Sequence, residues 1–234
     1  MNQQMGVGDK IQFTHFPENI FKLTGEKVID LDKDWTFDYN PYVVRDTTEI
    51  PTIIIDLWSL SYNFPKYGFS YADRCIIKYL GKEKLFCRGP RLYRFEEKKM
   101  IPNKMVVHLT GKATKNDLKP EVLQYIRERY SNYDIYQIGG KNDKTNDFFI
   151  NKMGLSLWDT TELISDSAIF LGINSGFMNV ALAYPRICKK LFVDEQPLES
   201  FLPMQVSTEW YEYNIQFWNQ TENDIGVTHS YLRI

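Results

Sequence analysis

The second half of the chain alternates apolar and polar blocks that read as strand, loop and helix. Residues 104–109, KMVVHL, form a short apolar run of the kind that fills a buried parallel strand. A polar loop, TGKATKND (110–117), follows it. Pro120 suits the first turn of a helix, and Val122, Leu123, Ile126 and Tyr130 then fall on one helical face. Residues 134–138, DIYQI, predict a second strand closed by Gly139 and Gly140, with a short helix expected near 145–152. Thr160 or Thr161 can cap the next helix, placing Glu162 in its first turn. AIFLGI (168–173) predicts a third strand, followed by Asn174, Ser175 and Gly176 and a small-residue helix to about Ala183. KLFV (190–193) closes the series. Such repeated alternation predicts an α/β domain with a doubly wound parallel sheet, whose ligands bind beyond the carboxyl ends of the strands. Those ends carry the loops 110–117, 139–143 and 174–179.

The first hundred residues are less regular. GVGD (6–9) precedes an expected helix to about Leu23. Residues 27–31 and 52–55 look like strands, and 71–80 like a helix. The stretch 90–103, which contains Pro102, reads as the linker. The tail from Leu202 holds Trp210, Tyr211, Tyr213, Phe217 and Trp218, a density that suits packing against another surface. The expected organisation is an amino-terminal domain over 1–100, a ligand-binding domain over 104–200 and an aromatic carboxyl-terminal segment over 201–234 that packs back across them.

Composition narrows the classes. The 234 residues are enough to bury a sizeable core, and 15 Tyr, 15 Phe and 5 Trp argue against disorder. Lys and Arg number 28 against 30 Asp and Glu, so the basic excess of a phosphate-backbone binder is missing and no nucleic-acid partner is expected. Three cysteines without CxxC spacing suit a reducing compartment better than a disulfide framework or structural zinc. The start lacks a basic-then-apolar signal pattern. The uncharged run 167–185 has the length of a membrane span, but Asn174, Ser175, Gly176 and Asn179 interrupt it, so it reads as strand, turn and helix. The expected location is cytoplasmic, with the cytoplasmic face of the membrane as an alternative.

Several positions carry candidate chemistry. Gly139 and Gly140 after a strand bring backbone close to a ligand and permit φ > 0; a plain tight turn is the other reading. Asn174, Ser175 and Gly176 lie between a buried strand and a helix start, a natural anion site favoured by its place at a strand's carboxyl end; a capping motif is the other reading. Lys112 and Lys115 could neutralise phosphate oxygens or belong to a solvated basic loop. Asp9, in a Gly-flanked loop at a helix start, is a catalytic carboxylate or an N-cap. His15 and His108 are lone histidines, and His108 at the end of a buried strand suits a hydrogen-bonded core group better than a ligand. The histidines do not cluster, so no metal site follows from spacing. GxGxxG after a strand, GxxxxGK[ST] and GxSxG are all missing.

Taken together, VHLTGK (107–112) with its Pro120 helix, QIGG (137–140), TTEL (160–163) and GINSGFMN (172–179) resemble glycosyltransferase family 9, the heptosyltransferases of the GT-B fold. The last segment is similar to the family signature G-x-D-S-G-x-M-H, and GVGDKIQFTHFP (6–17) more weakly resembles its amino-terminal loop and helix. The resemblance is best over 105–193. It implies two Rossmann-like domains with the active site between them. It also implies transfer of a sugar from a nucleotide-sugar, typically an ADP-heptose, to lipopolysaccharide, capsule or another surface glycan. Asp9 then matches the catalytic base, and Lys112 or Lys115 the phosphate-binding lysine. Asn174, Ser175, Gly176, Met178 and Asn179 match the donor-phosphate loop. Gly139 and Gly140 match the turn beside the nucleotide, and Thr161 and Glu162 the loop near the donor. Asn174 replaces the family Asp and Asn179 the family His, which keeps hydrogen bonding but removes a negative charge and a titratable proton.

Only MNQQM stands before the GVGD loop, so the family's first strand is expected to be missing or displaced and the amino-terminal domain reduced. The acceptor is then a glycan or a small molecule, or a partner subunit completes the domain; a homo-oligomer is the other option. Transfer is expected to invert the anomeric centre and to need no cofactor or metal. The alternatives are a non-catalytic nucleotide- or glycan-binding subunit and a GT-B-like nucleotide-sugar epimerase.

Overall fold

The computed structural model describes residues 7–30, 33–45, 80–81, 86–87, 90–96, 98–110, 120–172, 175–184 and 189–192. They fall into two compact units that divide between Glu96 and Glu97. The expected strand at 52–55 and the aromatic tail lie outside the described residues, as does the helix at 71–80 apart from Leu80.

In the first unit the single expected helix is two, α1 (Val7–Gln12) and α2 (Phe16–Thr24). The break comes where Pro17 opens α2, because proline has no N–H to continue a preceding turn. Asp9 therefore lies inside α1 and not in a loop ahead of it. Gly25 ends α2 with φ of 78°, a left-handed conformation that glycine adopts without steric cost. Ile11, Phe13, Phe16, Ile20 and Leu92 are buried.

Polar side chains tie a distant segment to this helix pair. Asn19 Nδ2 donates to the carbonyls of His15 (2.9 Å) and Cys87 (3.0 Å), and its Oδ1 accepts from the amides of Phe86 (2.8 Å) and Cys87 (3.2 Å). Thr14 Oγ1 accepts from the Arg91 amide at 2.8 Å. Residues 91–93, which the sequence suggests as linker, thus pack into the first unit. The expected strand at 27–31 is reduced to β1 (Val28–Ile29), which pairs in parallel with β2 (Val43–Val44). Arg45 links Asp30 and Asp38 beside this ladder.

The second unit is a five-stranded sheet with every pair parallel. Its strands are β3 (Ile101–His108), β4 (Asp134–Gly139), β5 (Ile150–Met153), β6 (Ser167–Gly172) and β7 (Lys189–Phe192), in the order β5-β4-β3-β6-β7. Helix α3 (Pro120–Arg129) joins β3 to β4, α4 (Leu157–Ser165) joins β5 to β6, and α5 (Gly176–Leu182) follows β6. Met105, Val106 and Val107 of β3 and the whole of β6 are buried, as expected of central strands covered on both faces. Lys104 reaches Asp166 in an ion pair at the amino-terminal end of β3.

Three expectations are corrected here. The predicted helix near 145–152 is strand β5, reached by a turn that Gln137 pins: its Nε2 donates to the Lys144 carbonyl (3.0 Å) and its Oε1 accepts from the Asn146 amide (2.9 Å). β3 begins at Ile101, so Pro102 is within a strand; its register against β6 shifts between Ile101 and Met105, an irregularity that accommodates a residue without an N–H. Helix α4 is capped by Ser156, whose Oγ accepts from the Asp159 amide at 3.1 Å. Thr160 and Thr161 are consequently interior residues of α4, and Asp159, not Glu162, is the acid of its first turn. Ser156→Ala is expected to cost about 1 kcal/mol by urea titration, the usual value of a lost N-cap; an unchanged midpoint would show that the cap contributes nothing.

The run 167–185 divides into β6 and α5 as its interruptions predict. No helix among the described residues is long and apolar enough to cross a membrane.

Candidate functional site

Strand order reverses between β3 and β6, since the chain winds outward to β4 and β5 and then crosses back. In an open parallel sheet such a switch point leaves a crevice beyond the carboxyl ends of the two strands. The last paired residues there are His108 of β3 and Gly172 of β6. Gly172 allows the strands to close up at this point: a Cβ would lie 2.8 Å from the Phe170 ring and 3.2 Å from the His108 carbonyl oxygen.

Ser175 stands at the N-cap of α5 in extended conformation, yet its hydroxyl makes no capping bond. It shares a hydrogen bond of 2.9 Å with His108 Nδ1 instead. The Phe177 ring meets the imidazole edge-on, with centroids 4.9 Å apart. His108 is only 5% exposed. Burial lowers its pKa to about 4, and the negative charge of Asp143 offsets only part of that effect. The imidazole is therefore neutral at physiological pH, with one ring nitrogen donating and the other accepting.

At the end of β4, neither Gly139 nor Gly140 has positive φ; the close approach is at Gly139, while a Cβ on Gly140 would meet only ordinary contacts with Asp143. A Cβ on Gly139 would lie 2.7 Å from an Asp143 carboxylate oxygen and 3.0 Å from Met153 Sδ. The Gly140 amide already donates to Asp143 Oδ2 at 2.7 Å. This turn therefore presents a carboxylate, better suited to accept hydroxyl protons than to hold an anion.

The other predicted residues are distributed as follows. Met178 and Asn179 are buried in α5, and Asn179 Oδ1 has no hydrogen-bond partner among the described residues. Thr161 is buried in α4 and its Oγ1 is likewise unpartnered among the described residues. Glu162 pairs with Lys98, a residue of the segment that leads into β3. Asp9 belongs to the first unit. Lys112, Lys115 and Asn174 lie outside the described residues. The structure thus brings Ser175 and Gly176 to the switch point and Gly139 and Gly140 to the end of a neighbouring strand. Sequence reasoning sets His108 aside as a core group; it is buried and hydrogen-bonded, but to a residue of the predicted loop. Its position as the last residue of a strand is the signal. Asp143 escapes a sequence reading because an acid three residues beyond a glycine pair resembles any turn residue.

Among the described residues, no group of three or more His, Cys, Asp or Glu side chains could hold a metal ion.

No protein-family model matches the chain, and no curated protein matches it by sequence. Solved structures do match. TibC from enterotoxigenic E. coli H10407, a dodecameric, iron-containing glycosyltransferase, aligns with a TM-score of 0.58 at 16% identity over 87% of this chain and 60% of its own. TibC in complex with ADP-D-beta-D-heptose, there described as a heptosyltransferase, aligns with a TM-score of 0.57 at 14% identity over 86% of this chain and 59% of its own. A family 9 glycosyltransferase from Veillonella parvula aligns with a TM-score of 0.58 at 11% identity, over 80% of this chain and 83% of its own. The chain spans about three fifths of the length of TibC. The parallel sheet, its strand order and these likenesses agree that the chain has an α/β, GT-B-like fold, that of the heptosyltransferases and glycosyltransferase family 9.

Proposed function

We infer that the protein is a glycosyltransferase that takes a sugar from a nucleotide-sugar donor. The observation that supports this most is the switch point between β3 and β6, where the Ser175 hydroxyl meets His108 instead of capping its helix, in a sheet with the heptosyltransferase fold. In this reading the diphosphate lies against Ser175 and Gly176, where the first turn of a helix leaves N–H groups without intrahelical acceptors. Asp143, beside Gly139 and Gly140, accepts from sugar or ribose hydroxyls. Lys112 or Lys115 neutralises the leaving diphosphate.

The chemistry is a displacement with inversion. An acceptor hydroxyl oxygen attacks the anomeric carbon, the bond from that carbon to the diphosphate oxygen breaks, and the nucleoside diphosphate leaves with the electron pair. The hydroxyl proton passes to a carboxylate, the role we give to Asp9; such a base contributes roughly 10²–10⁴-fold. Charge on the leaving group is met by lysine and backbone amides, so the proposal needs no metal. The donor is ADP-heptose-like and the acceptor a surface glycan such as lipopolysaccharide, or a smaller molecule. The reaction is assigned to the cytoplasm or the cytoplasmic membrane face.

Asn179 favours one second reading. It is buried and cannot titrate, which suits a subunit that binds nucleotide without turning it over. A thermal-shift screen of the full chain against nucleoside diphosphates and nucleotide-sugars separates the readings when followed by transfer assays. A selective rise in melting temperature is expected, about 2.7 kcal/mol of stabilisation at a hundredfold excess over Kd, and it should be lost in Lys112→Ala or Lys115→Ala. Binding with turnover supports a transferase, binding without it the subunit, and no shift with any nucleotide would overturn both.

A further inference from the structure

We propose that His108 is a positioning residue that holds the Ser175 hydroxyl away from its own helix and turns the hydroxyl proton outward, toward a nucleoside diphosphate at the switch point. The inference rests on the reading of this crevice as the donor site. It starts from an anomaly. A serine at an N-cap ordinarily accepts from an amide two or three residues on, but Ser175 makes no such bond, and its hydroxyl meets His108 Nδ1 at 2.9 Å.

The direction of that bond decides what Ser175 can offer. A neutral imidazole carries its proton on one nitrogen. If Nδ1 carries it, the ring donates to Ser175 Oγ and the serine proton is left to point elsewhere. If Nε2 carries it, Nδ1 consumes the serine proton and Ser175 shows a ligand only lone pairs. An anionic diphosphate needs donors, so only the Nδ1–H form makes Ser175 a phosphate ligand. Burial of His108 keeps the ring neutral, and the Phe177 edge contact restrains its plane. Among the described residues, Asp143 is the charged group whose carboxylate acts on this ring. An Asp or Glu at 108 could accept but not donate when ionised, and an apolar residue would free Ser175 to rotate back to its helix.

The test uses the full chain and calorimetric titration with ADP, UDP, GDP and CDP, together with long-range ¹H–¹⁵N correlation of the histidine ring in unmutated protein. The expected spectrum shows the neutral Nδ1–H tautomer. His108→Leu and Ser175→Ala should each weaken binding of the preferred nucleotide by roughly tenfold. The double variant should lose no more than either single one, because both remove the same contact. His108→Asn, which places an amide N–H near the Nδ1 position, should recover most of the affinity. A wild-type protein that binds a nucleotide but shows the Nε2–H tautomer overturns the proposal and leaves the donor site standing. So do additive losses in the double variant, or an Asn variant as weak as the Leu variant. A wild-type protein that binds none of the four overturns the donor-site reading, and the role of His108 falls with it. Should His108→Leu fail to fold, the tautomer and the Asn variant decide.

Discussion

Glu18→Gln should lower the stability of the first unit by about 3 kcal/mol near neutral pH. Glu18 is 2% exposed, and its carboxylate is held by Arg91 Nη1 at 3.0 Å, the Tyr93 hydroxyl at 3.1 Å and Lys22 Nζ at 2.6 Å. Burial alone would raise its pKa. The hydrogen bonds and charges of Lys22 and Arg91 outweigh that and bring it from 4.5 down to about 2. A pKa lowered on folding contributes stability that is fully present above the unfolded value and lost as pH falls through the folded one. The contribution should therefore fade between about pH 4.5 and pH 2. Urea titrations at pH 7 and pH 3, with hydrogen exchange on α2 and residues 91–93, check this. The wild type should lose more than half of its advantage over Glu18→Gln at the lower pH, the remainder disappearing only as the pH falls below the folded pKa of about 2. A gap between the two proteins that is the same at both pH values would show that charge is not what Glu18 contributes. Cys87 shares this environment, and burial pushes its thiol up to about 12, which leaves it unreactive as a nucleophile.

Phe170→Ala should cost about 3–5 kcal/mol, the range for a fully buried phenylalanine. Phe170 is 0% exposed and lies on β6 between Val106 of β3 and Lys190 of β7. Its ring occupies the space beside Gly172 that a Cβ there would need. Gly172→Ala alone should then cost roughly 1–3 kcal/mol through overpacking against the ring and the His108 carbonyl. In the double variant the new methyl group enters the space the ring vacated, so the combined loss should fall short of the sum by about 1 kcal/mol. Thermal melts and urea titrations of the three variants measure this. Strict additivity would mean that the ring does not set the spacing between β3 and β6 at the switch point, where His108 meets Ser175.

Much of the second unit is legible in the sequence because its signals are local. Buried parallel strands favour short apolar runs, and 104–109 and 168–173 contain such runs, while Ile135 and Ile138 mark the strand at 134–138. Proline at 120 and glycine at 176 mark helix starts for reasons that lie in their own backbones. The site is partly legible on the same grounds: Ser175 and Gly176 stand out because they lie between a strand and a helix. β5 reads as a helix because INKM has no strong period, and it becomes a strand only by pairing with β4 and being held by Gln137. Ser156 is overlooked as a cap because Thr160 and Thr161 offer the same chemistry one turn later.

By itself, the sequence determined the α/β class, the parallel winding and the loops that could hold a ligand, since periodicity and turn chemistry depend on neighbours along the chain. Tertiary structure alone decided that His108 and Ser175, 67 residues apart, share a hydrogen bond. It alone decided that Glu18 gathers Arg91 and Tyr93, 73 and 75 residues further along the chain. It also set Gly139 against Asp143 and Met153 and left φ there ordinary. The physical reason is that burial and pairing energies depend on which strands and helices become neighbours, and no spacing along one chain records that choice.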